Sequence, residues 1–141
     1  MSDHLEAHVH RRVIIPPNFT NRQLSVNYFT PRFKKVNRGE DVQWVNEDNE
    51  THRLEFYDLT NNREELLFDS GPIESNQVFE TNFDTHLLKI DYICTLHRNE
   101  VGTVIVYQVP EDQMTEAQRL RFLSGIFNIE PPSTLSHLSP H

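Results

Sequence analysis

Between Arg12 and Gln108 the chain is built from short segments with turn-forming residues between them. Val42–Asn46 and His52–Tyr57 alternate apolar with polar side chains, the period of a strand with one face in a core. Val13–Ile15 is a β-branched run halted by Pro16 and Pro17, and Glu65–Phe68, Val78–Phe83, Leu87–Ile93 and Thr103–Tyr107 continue the series. Turn residues fall between them at Asn37–Glu40, Asn46–Asn49, Asn61–Asn62 and Ser70–Pro72. Many short strands at this spacing predict an all-β domain, a sandwich or a barrel. Tyr28, Phe29, Phe33, Trp44, Phe56 and Tyr57 are its expected core. No internal repeat is visible.

Past Pro110 the period changes. Met114, Ala117, Leu120, Leu123 and Phe127 recur every three or four positions, which predicts a helix capped by Asp112 or Thr115 and ended by Pro131–Pro132. The chain therefore divides into a flexible His-rich tail (1–11), a strand-rich domain (12–109), a C-terminal α-helical extension (110–130) and a disordered tail (131–141). A single apolar stripe on the helix suits packing on its own domain, or docking onto a second copy or a partner.

Composition narrows the function classes. The 141 residues suit one domain, and 13 Lys+Arg against 21 Asp+Glu leave a net charge of -8, which argues against a nucleic-acid partner. No apolar run approaches the roughly 18 residues of a membrane span, and the polar start offers no signal-peptide core. A single Cys, Cys94, excludes an intrachain disulfide and sites that need several thiolates. Of the eight histidines, His4, His8, His10, His137 and His141 lie in the tails, leaving His52, His86 and His97 in the patterned region. The tails could gather copper weakly, and Ser2-Asp3-His4 would offer a square-planar Cu(II) site once Met1 is removed. Asn18-Phe19-Thr20 and Asn49-Glu50-Thr51 match the glycosylation sequon, which matters only on a secretory route.

Cys94 and His97 stand three apart, where one strand ends and the next has yet to begin. A loop there can aim both side chains at one point, which alternating strand positions cannot. His52 opens another predicted strand, 42 residues upstream of Cys94. One thiolate and two imidazoles form the donor set of a type 1 copper centre: soft sulfur favours Cu(I), and imidazole accepts both oxidation states. A Cys94–His97 nucleophile pair oriented by an acidic residue is the other chemistry these residues permit. His86 has no evident partner and reads as a surface or turn histidine.

The wider pattern resembles the plastocyanin/azurin-like cupredoxins over roughly residues 25–107. Phe29-Thr30-Pro31, Val36-Asn37-Arg38-Gly39, Val42–Asp48 and then His52 are similar to the first half of that family. Phe68–Gly71 and Val78–Phe83 are similar to its middle, and Tyr92–His97 to its ligand loop. The resemblance implies an eight-stranded Greek-key β-sandwich with one copper near one end, held by His52, Cys94 and His97. His97 would be the exposed histidine through which electrons pass. The family commonly has Met as a fourth ligand three or five residues after that histidine, whereas this chain has Glu100 and Gly102 there, and Met1 and Met114 fit neither spacing. Glu100 is thus the expected axial donor, a harder and charged ligand that favours Cu(II). Asn is frequent after the first His ligand in the family; here it is Arg53, so only a backbone N–H could reach the sulfur. Thr95 would help order the loop, and Asn46 and Asp48 read as turn residues.

The resemblance implies a single-electron carrier with a redox protein as donor or acceptor, on the extracytoplasmic side of the cell, while the polar start by itself fits a cytoplasmic chain equally. The alternatives are a copper enzyme or a sensor of a small molecule such as nitric oxide at an open or carboxylate-bound copper, and copper storage or delivery. The helix could dock any of these onto a larger complex.

Overall fold

The computed structural model describes residues 11–59, 64–84, 89–108 and 113–127. Eight strands follow in order: β1 (Arg12–Ile15), β2 (Asn27–Asn37), β3 (Asp41–Asn46), β4 (His52–Asp58), β5 (Glu65–Ile73), β6 (Val78–Asn82), β7 (Lys89–Cys94) and β8 (Glu100–Tyr107). Among the described residues one helix, α1 (Glu116–Phe127), comes after them. The strands run β5-β4-β7-β8-β2-β1-β3-β6 across the sheet. β2 pairs parallel with β8 and, at Ile14↔Thr30, antiparallel with β1, so it joins the two halves of the sandwich. β1 and β3 also run parallel.

The expected strands in the described residues are present, and the differences have local causes. β2, the longest strand, is the one the alternation did not predict. Pro31 interrupts it, and Arg32, Lys34 and Lys35 replace the polar–apolar alternation with a run of cations. Its register against β8 shifts between Tyr28 and Phe33, a bulge spanning the proline. β5 continues through Ser70-Gly71-Pro72, read above as a turn. Gly71 takes a φ of 72° and its N–H is held by Asp69 Oδ1 at 2.7 Å, so the kink is absorbed as an irregularity opposite β4. β8 starts at Glu100, three residues ahead of Thr103.

Inside the sandwich Trp44 packs edge-on against Phe56 (5.1 Å between centroids) and Tyr92 (5.4 Å), with Phe29, Phe83 and Ile90 around them. Tyr28 and Tyr57 belong elsewhere than expected: only partly buried, they pack against Ile93 and Val101 in a second cluster. Phe33 is half-buried under the Arg32 guanidinium, 4.7 Å from the ring centroid. Central position buries β7 and β8 along their whole lengths. Alternation sends Ile90, Tyr92 and Cys94 into the main core.

Thr115 caps α1. Its hydroxyl accepts from the Gln118 N–H at 3.1 Å while Gln118 Oε1 accepts from the Thr115 N–H at 2.9 Å, a reciprocal capping box. Residues 116–121 are exposed, so this part of the helix does not cover the core. Among the described residues no helix is long and apolar enough to cross a membrane. Asp112, His86, the turn at Asn61–Asn62, the five tail histidines and Ser2-Asp3-His4 lie outside the described residues.

Candidate metal centre

His52 is the first residue of β4 and Cys94 the last of β7, and these strands pair antiparallel with Leu54 opposite Cys94. That pairing brings the imidazole and the thiol to the same end of the sandwich. The Thr95 N–H donates to the Arg53 carbonyl at 2.8 Å, continuing the ladder one step past Cys94. His97 sits in the following loop, and the Glu100 N–H closes that loop on the His97 carbonyl at 3.0 Å. Glu100, opening β8 beside β7, turns its side chain inward and is 1% exposed.

One ligand atom from each of His52, Cys94, His97 and Glu100 lies within 4.8 Å of the other three. Cys94 Sγ is 3.6 Å from His52 Nδ1 and 3.7 Å from His97 Nδ1. Glu100 Oε1 is 3.0 Å from His52 Nδ1 and 3.3 Å from His97 Nδ1. Both rings therefore present Nδ1 to the sulfur and the carboxylate. His52, Cys94 and Glu100 are buried, while the His97 side chain keeps 23% of its surface exposed.

Behind these four stands a polar layer. The far nitrogen of His52, Nε2, is 2.9 Å from Asp48 Oδ2, and both side chains are wholly buried. The same Asp48 oxygen receives the Thr20 N–H at 3.3 Å and lies 2.9 Å from the Thr20 hydroxyl. That hydroxyl is also 2.9 Å from Glu100 Oε2. Asn46 shapes the turn beneath: Oδ1 accepts the Asp48 N–H at 2.9 Å, and Nδ2 donates to the carbonyls of Glu50 and Ile73, each at 2.9 Å.

The electrostatics follow from this crowding. Burial alone would lower the His52 pKa, but Cys94, Glu100 and Asp48 outweigh it and push it up to about 10. Burial likewise works against an ionised Asp48, yet its bonds from His52, Thr20 and the Asn49 amide hold it below the usual carboxylate range. Glu100 Oε1 is a buried acceptor with no well-aligned hydrogen bond, although two ring nitrogens stand near it. In the metal-free fold only the charged His52 ring, 3.0 Å away, offsets the burial of this oxygen. A cation among the four donors satisfies it, and the set of one thiolate, two imidazoles and one carboxylate suits copper. The residues present fit that metal.

The structure thus brings together all four site residues expected from the sequence. The Arg53 side chain turns outward to Asp69, with Nε–Oδ2 at 2.9 Å, leaving its carbonyl to hold Thr95. The sequence reading missed the roles of Asp48 and Thr20. Asp48 carried a faint signal, standing four residues before His52, but its polarity equally suited a turn. Thr20 carried none, being 80 residues from Glu100 in the chain.

No protein-family model matches the chain, and no curated protein does. Solved structures do. A purple cupredoxin from Nitrosopumilus maritimus is 26% identical, with a TM-score of 0.58 over 68% of this chain and 98% of that one. A Cu(I) form of an amicyanin variant is 23% identical, with a TM-score of 0.51 over 68% and 80% of the two chains. An oxidised amicyanin variant is 21% identical, with a TM-score of 0.53 over 70% and 83%. The fold of this chain is that of a cupredoxin, and its group of one thiolate, two imidazoles and one carboxylate fits a type 1-like copper site.

Proposed function

We propose that the chain carries single electrons on one copper ion held by His52 Nδ1, Cys94 Sγ, His97 Nδ1 and Glu100 Oε1. The observation that carries this reading is the convergence of these atoms within 4.8 Å of one another, with three of the four side chains buried. Copper in such a donor set supplies a reversible one-electron Cu(II)/Cu(I) couple. The protein's part is to hold the donors in one arrangement for both states. His52 and Cys94 are fixed by the β4–β7 ladder, Glu100 by β8, and His97 by the short loop between β7 and β8. Burial of three donors keeps water from the site, and the His97 edge is the exposed way in and out.

This burial favours a carrier over an enzyme or sensor, because Glu100 closes the side on which an incoming molecule would bind. A redox protein is the partner. Leu96 beside His97 is 54% exposed, and Leu24, whose carbonyl accepts from Asn99 Nδ2 at 3.1 Å, is half exposed next to the same loop, so apolar surface flanks the electron route. We place this work on the extracytoplasmic side, and we assign the exposed start of α1 to partner contact.

Adding Cu(II) to the metal-free protein tests the reading. An intense sulfur-to-copper charge-transfer band in the visible, absent in Cys94→Ser, is the expected result. A protein that binds copper without that band is not a type 1-like carrier. Glu100→Met should raise the reduction potential, since a neutral soft donor replaces a charged one that favours Cu(II).

A further inference from the structure

We propose that Asp48 and Thr20 are positioning residues of the copper centre, Asp48 acting through His52 and Thr20 through Glu100. The proposal rests on the copper reading above and adds what sets the ligands' orientation and donor strength.

His52 presents opposite ring nitrogens to two environments. Nδ1 faces Cys94 Sγ and Glu100 Oε1, while Nε2 meets Asp48 Oδ2 at 2.9 Å. A ring nitrogen bonded to a carboxylate carries the hydrogen, which leaves the Nδ1 lone pair for the metal. An imidazole whose outer N–H is held by a carboxylate is also the stronger donor, and strong donation favours Cu(II).

Asp48 is more firmly placed than a turn requires. Its Oδ1 accepts the Asn49 N–H at 2.9 Å, its own N–H is held by Asn46, and its carbonyl accepts from the Ser75 hydroxyl at 2.7 Å. Bonds to Asn46, Asn49 and Ser75 occupy Oδ1 and the backbone. Oδ2 points away from the turn, into the buried space shared by Thr20 and His52.

Thr20 joins this carboxylate to the other one. Its hydroxyl oxygen is 2.9 Å from both Asp48 Oδ2 and Glu100 Oε2. Asp48 Oδ2 already takes the Thr20 N–H and the His52 Nε2–H, so the single hydroxyl hydrogen goes to Glu100 Oε2, which turns Oε1 toward the histidine nitrogens. Thr20 is itself anchored, because its neighbour Phe19 is buried and the Phe19 carbonyl accepts from Asn27 Nδ2 at 2.8 Å. The segment between β1 and β2 thus reaches the metal centre without supplying a ligand.

Asp48→Asn, Thr20→Val and Thr20→Ser test this in the copper protein. Asp48→Asn keeps the shape but removes the charge behind His52. It should weaken Cu(II) relative to Cu(I) binding about tenfold, a rise in potential of about 59 mV. Thr20→Val should shift the charge-transfer bands by freeing Glu100, and Thr20→Ser should restore them. In the diamagnetic Cu(I) form of the unaltered protein, nitrogen NMR should find the His52 hydrogen on Nε2. That measurement decides the point even where a variant does not fold. A hydrogen on Nδ1, or an unchanged potential in folded Asp48→Asn, overturns the role of Asp48, and unchanged bands in folded Thr20→Val overturn that of Thr20. Absence of the charge-transfer band from the unaltered protein is instead a failure of the copper reading itself.

Discussion

A single hydrogen atom at Gly102 lets Tyr92 reach the middle of the core. A Cβ there would fall against the phenol oxygen and Cζ of Tyr92, with Cε1 at 2.9 Å, and Tyr92 is wholly buried against Phe29, Trp44 and Phe56 with little room to move. Gly102→Ala should therefore destabilise the fold by about 1–3 kcal/mol, as overpacking does, and a lowered denaturant midpoint would report it. Tyr92 lies two residues before Cys94 and Gly102 two after Glu100, so the copper band should weaken or shift in the same variant. At His52 the same crowding acts on a proton. Its pKa is 6.5 in an ordinary setting and about 10 in the metal-free fold, so the folded state holds the proton more tightly than the unfolded chain. The resulting stability is complete below pH 6.5 and is lost as pH rises toward 10. Urea unfolding of the metal-free protein should accordingly give a lower midpoint at pH 9.5 than at pH 6.5. Copper affinity should run the opposite way over that interval, because binding must displace the proton.

At the scale of elements, legibility in the sequence followed how local the controlling interaction is. β3 and β4 announce themselves because one face meets the core and the other does not, which alternation records directly. The cap of α1 is legible for the same reason, since Thr115 and Gln118 satisfy each other within one turn. β2 was illegible because parallel pairing with β8 sustains it across Pro31 and a cationic run, and no window of sequence contains that partner. The site divides likewise. Cys94, His97 and Glu100 share one short segment and His52 opens a strand, whereas Thr20 reaches Glu100 only through the folded chain. The turn from Asn46 to His52 carries both kinds of information. Its polar residues mark a turn, but Asn46 also ties β3 to the Glu50 and Ile73 carbonyls inside the protein. Asn46→Ala would leave the buried Ile73 carbonyl, the part-buried Glu50 carbonyl and the Asp48 N–H without that partner. A loss of about 2–4 kcal/mol is expected from denaturant titration, accompanied by weaker Cu(II) binding as Asp48 and His52 lose their support.

For the whole molecule the decisive quantity is charge. The chain carries -8 at pH 7, while the only donor of the copper site with appreciable exposure, His97, is flanked by exposed apolar side chains. Electron transfer needs close approach at that edge, because coupling through protein falls steeply with distance. The energetics of approach are set by net charge over lengths comparable to the Debye length, about 10 Å at 0.1 M salt. Two copies of this chain repel each other, and a basic redox partner is attracted. Salt screens both interactions, so the two rates should respond with opposite signs. Electron self-exchange between copies should quicken as ionic strength rises, and reduction by a cationic protein donor should slow. Stopped-flow and NMR line-broadening measurements across a salt series would read the two slopes. Leu96→Asp sharpens the comparison by placing a negative charge beside the point of contact. It should slow self-exchange further at low salt while leaving the optical spectrum unchanged, since Leu96 supplies no donor to the metal group. If both rates fell with salt, or neither moved, electrons would be leaving by a surface other than the His97 edge.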